Sequence, residues 1–255
     1  MASGFGKGFF KDDLRLSDGF NSGFYKPTSV ITNGLVLHYD ISSIASYPGN
    51  GTTVVDLQGN SNATLVGGPT YSDGYLTFDG TNDYLLTSTS LAAKVTTDIT
   101  TISMWAYPMD NGVLLTELGQ ATINTGWHDA QIERVSGTMK FGTWSGAFVG
   151  GSITSITSTI ATSTNAWYNF TMVHDGSTLT AYVNGASAGT VTYSRSNPVE
   201  NGNGLHYAIG AIDGTNMGDG TYANMRLGQF LVYNVALSAD EILQNYTATK
   251  GRYGL

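Results

Sequence analysis

Three groups of residues in this chain could carry chemistry. The first is a set of oxygen donors on one short stretch, Asp79, Asn82 and Asp83. Carboxylate and amide oxygens this close together suit a hard cation such as calcium; the plainer reading is that they cap a turn. The second is aromatic residues beside polar groups, the combination that recognises a sugar. Trp105 and Tyr107 alternate with Met104 and Ala106 and share a strand face with Ser103. Trp127, His128 and Asp129 are consecutive, and Trp144 lies among Gly and small polar residues, so both fall near predicted loops. Trp105 and Trp167 also read as core. The third group is His38, His128, His174 and His206, which are isolated from one another. No nucleophile stands beside a base, so these read as neutral strand or turn histidines. There is no cysteine, which excludes disulfides and thiolate metal sites.

The elements that must position these residues are short strands. Of 255 residues 41% are hydrophobic, enough for a core, and only 12% are charged. Gly, Ser, Thr and Asn fill the difference, which suits many turns rather than long helices. The net charge of −8 argues against nucleic acid or an anionic membrane as partner. No apolar run is long enough to span a bilayer. The stretch Tyr75–Leu86 organises the chain. Leu76 and Phe78 alternate with Tyr75 and Thr77, the turn residues Asp79–Asp83 follow, and Tyr84–Leu86 resumes the β pattern. Strands are predicted at 34–40, 63–66, 102–107, 113–118, 130–135, 139–144, 167–174, 178–183, 188–193, 207–212 and 225–233. A strand and loop at a sheet margin are predicted within 151–166. Asp175-Gly176 and Asn184-Gly185 are hairpin turns. Bulk on both faces of 102–107 implies a strand covered on two sides or lining a groove. Ser238 and Glu241 form a capping box that opens one short helix carrying Ile242, Leu243 and Tyr246.

Residues 1–33 differ from the rest. Phe5, Phe9, Phe10, Phe20, Phe24 and Tyr25 are scattered among Gly, Ser and charged residues without a regular period. Such a segment cannot form a core alone, yet its aromatics favour burial. It reads as a disordered tail or as an arm that docks on another subunit. The division expected is an arm at 1–33, a β-sandwich at 34–246 and a tail at 247–255. The N-terminus lacks the apolar core of a signal peptide, so synthesis in a cytoplasm without general export is expected.

The order of GLVLHYD at 34–40, DLQGNSNATL at 56–65, YLTFDGTNDYL at 75–85, TISMWAYP at 101–108, WYNFTMVHDGSTLTAYVNG at 167–185 and LGQFLVYNVALSADEILQNY at 227–246 resembles a laminin G-like domain of the concanavalin A-like lectin/glucanase superfamily. The resemblance implies an all-β, two-sheet antiparallel jelly-roll sandwich, here with an extended N-terminal arm and one short C-terminal helix. The ending NYTATKGRYGL is similar to versions of this domain in structural proteins of tailed bacterial viruses. Glucanases of the superfamily line a groove with alternating acids, as retaining glycosidases require. The nearest stretch here, Asp129 to Glu133, has Gln131 where the middle acid would stand. No enzymatic activity is therefore expected, because fold alone does not license it. Many relatives bind calcium at a sandwich edge, but Gln229 stands where they often place an Asp, which weakens that expectation. No other cofactor is implied. The leading expectation is a non-enzymatic virion structural protein: a capsid decoration, fibre or tail component at the virion surface. It would be a homo-oligomer fixed through its arm to virion proteins or sister subunits, and able to bind a host surface glycan. A free carbohydrate-binding lectin module is the alternative, and a glycoside hydrolase the third reading.

Overall fold

The structure is a computed structural model that describes residues 29–121, 128–145, 152–194, 204–211 and 222–255, with side chains at 128–131 excepted. The first strands are β1 (Leu35–Asp40), β2 (Thr53–Val54), β3 (Ala63–Val66), β4 (Thr70–Ser72), β5 (Tyr75–Asp79) and β6 (Tyr84–Thr87). Next come β7 (Ile99–Pro108), β8 (Gly112–Leu118), β9 (His128–Val135), β10 (Thr138–Ser145) and β11 (Ser152–Thr157). The last are β12 (Tyr168–Asp175), β13 (Thr178–Val183), β14 (Ala186–Thr192), β15 (His206–Ile209) and β16 (Asn224–Tyr233). The helix α1 (Ala239–Thr249) follows and runs into a 3-10 turn at Lys250–Tyr253.

These strands form two eight-stranded sheets. The first has the order β14-β13-β12-β7-β16-β5-β4, with β1 also paired to β16; the second has the order β11-β10-β9-β8-β15-β6-β3-β2. Every strand pairing between these elements is antiparallel. The expected two-sheet sandwich is what forms. One core fills its interior, drawing Leu37, Phe78, Met104, Phe170 and Phe230 from the first sheet and Leu85, Ile132, Phe141 and Tyr207 from the second.

Tyr75–Leu86 has a more specific role than strand, turn and strand. β5 pairs with β4 and β16 in the first sheet, while β6 pairs with β3 and β15 in the second. The polar turn between them is thus a corner where the chain changes sheets. Asn184 and Gly185, at φ 53° and 77°, close the β13–β14 hairpin with the left-handed pair that its twist requires. The predicted margin strand is β11 at the sheet edge. The DLQGNSN loop is held by one carboxylate. Asp56 accepts hydrogen bonds from the backbone amides of His38, Gln58, Asn60 and Ser61 at 2.7–3.1 Å.

The ends of the chain differ from the expected division. α1 opens with the Ser238–Glu241 capping box as the sequence predicts. The segment expected as a tail from 247 instead completes the helix and the 3-10 turn, because Tyr253 finds a ring to stack on. Val30 and Ile31, expected in the arm, pack on the sandwich itself with Leu231, Tyr233, Leu237 and Ile242. The Ile31 amide donates to Asn245 Oδ1 at 2.7 Å, and Tyr233 Oη donates to the Ile31 carbonyl at 3.1 Å. The six arm aromatics Phe5, Phe9, Phe10, Phe20, Phe24 and Tyr25 lie outside the described residues. No helix among the described residues is long and apolar enough to cross a membrane.

Candidate functional site

The site is built on the outer face of the first sheet. Strand alternation on β7 sends Ile102, Met104 and Ala106 into the core and Thr101, Ser103, Trp105 and Tyr107 outward. At one end of this face the hydroxyls are tied to neighbours. Thr171 Oγ1 donates to Ser103 Oγ at 2.9 Å and Asn169 Nδ2 to the same oxygen at 3.1 Å. Thr101 Oγ1 donates to the Val235 carbonyl at 2.8 Å, holding the approach to α1 against the strand.

Across the middle, α1 and the 3-10 turn cover Trp105. Its indole is 1% exposed, and Nε1 donates to Thr249 Oγ1 at 2.8 Å. Tyr253 stacks on it at 4.1 Å between ring centroids and 19° between planes, and Tyr246 lies at 5.8 Å and 22°. The close approach of Tyr253 is made possible by Gly228 on β16, where an added Cβ would lie 2.5 Å from Tyr253 Cε1 and collide with its hydroxyl. Gly228 is also where β16 changes register against β7, and where its other edge passes from β5 to β1. Arg252 Nη1 donates to Asp40 Oδ2 at 2.6 Å beside it. Burial pushes the Tyr253 hydroxyl well above the usual phenol range, and the Asp40 charge adds to this against the opposing Arg252.

Beyond this cover the same aromatic strip continues, half-exposed. Tyr253 meets Trp167 at 4.7 Å, and Trp167 stands edge-on to Tyr107 at 5.5 Å and to Tyr75 at 5.7 Å. Arg226 on β16 lies directly across from Tyr107 on β7 and Thr77 on β5. Its guanidinium carbon is 4.7 Å from the Tyr107 ring centroid and 4.8 Å from that of Tyr75. The result is a platform of three rings and a cation, backed by the Tyr253–Trp105 stack. Ring faces at a half-exposed surface can take the C–H face of a sugar, and a guanidinium can bond its oxygens.

The residues singled out by sequence fare differently. Tyr107 is on this platform. Trp105, offered as a sugar-binding residue, has no free face, because the helix and Tyr253 bury it as the core reading implies. Trp144 is half-buried on β10 across from Ile153 of β11, in the other sheet, so it shares no surface with Tyr107. Trp127 lies outside the described residues, and for His128 and Asp129 only the backbone at the start of β9 is described. Glu133 is fully buried.

Asp79, Asn82 and Asp83 form a capped corner. Asp79 Oδ1 accepts from the amides of Thr81 at 2.8 Å and Asn82 at 3.4 Å, and Asp83 Oδ2 accepts from the Asp79 amide at 3.2 Å. Burial pushes the Asp83 carboxyl up, and the Asp79 charge adds to this while the amide bond opposes it. Carboxylate oxygens spent on their own turn are a poor fit to a cation, and no group of three His, Asp or Glu side chains able to hold a metal occurs among the described residues. Gln229 is buried with Nε2 3.2 Å from His38 Nε2.

Tyr75, Trp167 and Arg226 were missed. The signals were present but quiet. Arg226 is the lone charge in NMRLGQFLVY of β16, and Tyr75 stands at an outward position of its strand.

Two antiparallel eight-stranded sheets packed face to face define a lectin-like sandwich fold. The chain belongs to the concanavalin A-like lectin/glucanases superfamily, whose Laminin_G_3 family model matches residues 79–243. Comparison with curated protein sequences gives no match. Among solved structures, the botulinum neurotoxin serotype D binding domain is similar at TM-score 0.60 and 13% identity, over 85% of this chain and 52% of that one. A botulinum neurotoxin DC binding domain in complex with SialylT is similar at TM-score 0.58 and 11% identity, over 84% and 51%. Trypanosoma rangeli sialidase in complex with 2,3-difluorosialic acid is similar at TM-score 0.62 and 15% identity, over 88% and 34%. The chain thus spans about half or less of these proteins, and at such identities the likeness establishes the fold alone.

Proposed function

We propose that this protein is a non-enzymatic, glycan-binding structural component of a virion. The sandwich is displayed at the particle surface as a decoration, fibre or tail part, and the N-terminal segment before Val30 attaches it to virion proteins or sister subunits. The observation that carries the glycan reading is the half-exposed platform of Tyr75, Tyr107 and Trp167 around Arg226. Solved relatives of the fold captured with SialylT and with difluorosialic acid support the same reading. The virion reading is supported by the Gly-spaced aromatics of the N-terminal segment and the resemblance of the C-terminal ending. The non-enzymatic reading is supported by Gln131 and by the burial of Glu133 away from solvent.

Binding by one ring cluster is weak per domain, and multivalent display raises it without new contacts. The test is a glycan array probed with the full-length protein coupled to a multivalent carrier. Binding to surface polysaccharides that Trp167→Ala abolishes, with an unchanged far-ultraviolet circular dichroism spectrum, is the expected outcome. A blank array refutes the glycan reading, and release of reducing ends from any bound polysaccharide refutes the non-enzymatic one.

A further inference from the structure

Arg226 is held in an unusual way for a cation in a sheet. Its guanidinium carbon lies over two rings at once, 4.8 Å from the Tyr75 centroid and 4.7 Å from that of Tyr107. A guanidinium hydrogen-bonds through the N–H groups in its plane, and a contact with a ring consumes none of these donors. Among the described residues no carboxylate, carbonyl or hydroxyl accepts a hydrogen bond from it, and no ion pair forms. Of its nitrogens only Nε is both buried and unpartnered. The terminal nitrogens are thus left to whatever approaches the half-exposed end of the platform. The chain carries 19 acidic residues against 11 basic ones, yet none of the described acids neutralises this cation.

The geometry points to Arg226 as the specificity-determining residue of the proposed glycan site, selecting saccharides that carry a carboxylate. This rests on the glycan-binding reading above and names the ligand class of that site. A carboxylate meets the in-plane fork of a guanidinium with two parallel bonds. The pyranose that bears it is placed beside Trp167, whose ring adjoins both tyrosines. The tyrosines fix the fork before the ligand arrives, which reduces the ordering cost of binding. Lysine cannot reproduce this arrangement, since it offers a point charge without a stacking plane.

The test compares matched probes on the full-length protein: cellotetraose against its fully C6-oxidised tetraglucuronate, and lactose against 3′-sialyllactose, each on the same multivalent carrier. Inorganic sulfate and free acetate are the competitors that distinguish a sugar-borne carboxylate from any small anion. The expected result is at least tenfold tighter binding of both acidic probes, unaffected by millimolar competitor. Arg226→Gln should reduce the two members of each pair to equal, weak binding, and Arg226→Lys should recover only part of the preference. Trp167→Ala should abolish binding of both members. Chemical shift changes at the Trp167 indole in the unmodified protein, reaching saturation at least tenfold earlier with acidic than with neutral probe, give a readout that needs no variant. Equal binding of neutral and acidic probes overturns the assignment of Arg226 while leaving the glycan site intact. A preference that survives Arg226→Gln overturns it too, as does displacement by free anion. Absence of binding to every probe overturns both.

Discussion

Gly228 and Tyr253 form a pair whose coupling can be measured. An added methyl at Gly228 points into the ring of Tyr253, and the residues flanking Gly228 are paired on both edges of β16, which limits how far its backbone can retreat. Gly228→Ala should therefore expel Tyr253 from its place over Trp105. The loss includes two ring contacts worth about 0.5–1.5 kcal/mol each. It also includes roughly 100 Å² of apolar surface at about 25 cal/mol per Å². Together these amount to about 3.5–5.5 kcal/mol, an upper estimate if the tail relaxes elsewhere. For a chain of this size that lowers Tm by roughly 10 °C. The assay is urea unfolding followed by tryptophan fluorescence for the parent, Gly228→Ala, Tyr253→Ala and the double variant. In the Tyr253→Ala background the three side-chain atoms nearest the methyl are gone, so Gly228→Ala should then cost less than about 1 kcal/mol, a large non-additivity. Both Tyr253 variants should shift native-state emission to the red as Trp105 and Trp167 gain water. If Gly228→Ala costs the same in both backgrounds, the close approach of ring and backbone does not hold the C-terminal segment, and the reasoning fails.

Four further outcomes are expected. His38 and His206 are both held below the ordinary imidazole range, chiefly by burial, although Asp40 and Asp56 oppose this at His38 and the Thr87 carbonyl at His206. A depressed histidine contributes stability that is present above its unfolded pKa of about 6.5 and lost as pH falls through the folded value. Thermal melts at pH 7.5 and 5.5 should show a drop that His206→Gln reduces; a flat profile in the parent refutes this. Asp56→Ala strands the amides of His38, Gln58, Asn60 and Ser61 and should cost about 3–5 kcal/mol in denaturant unfolding, with Asp56→Asn costing less. Chelation with EDTA should leave Tm unchanged, because Asp79 and Asp83 bond their own corner; a fall restored by calcium and absent in Asp79→Ala would contradict it. Removal of residues 1–28 should leave the sandwich melt intact while abolishing oligomer or particle association by sedimentation, whereas removal through Asn33 should also destabilise it, since Val30 and Ile31 pack under α1.

Local chemistry was readable in the sequence wherever a short segment suffices to decide the outcome. Asn184-Gly185 selects its hairpin through backbone conformation, and Ser238 with Glu241 starts α1 through bonds within a single turn. Alternation in Tyr75–Phe78 sorts its inward and outward residues within one strand. Such features depend on neighbours in the chain and need no knowledge of what lies across the sheet. The partner of each strand is a different matter. That β5 and β6 belong to opposite sheets follows from pairing with β16 and β15, residues more than a hundred positions away. The fate of each tryptophan was decided in the same way. Trp105 and Trp167 have similar local surroundings in sequence, but Tyr253 buries the first and leaves the second half-exposed. The platform likewise brings together Tyr75, Tyr107, Trp167 and Arg226 from four separate segments. A contact between distant segments depends on the energy of the whole packed arrangement, so only the tertiary structure could decide it.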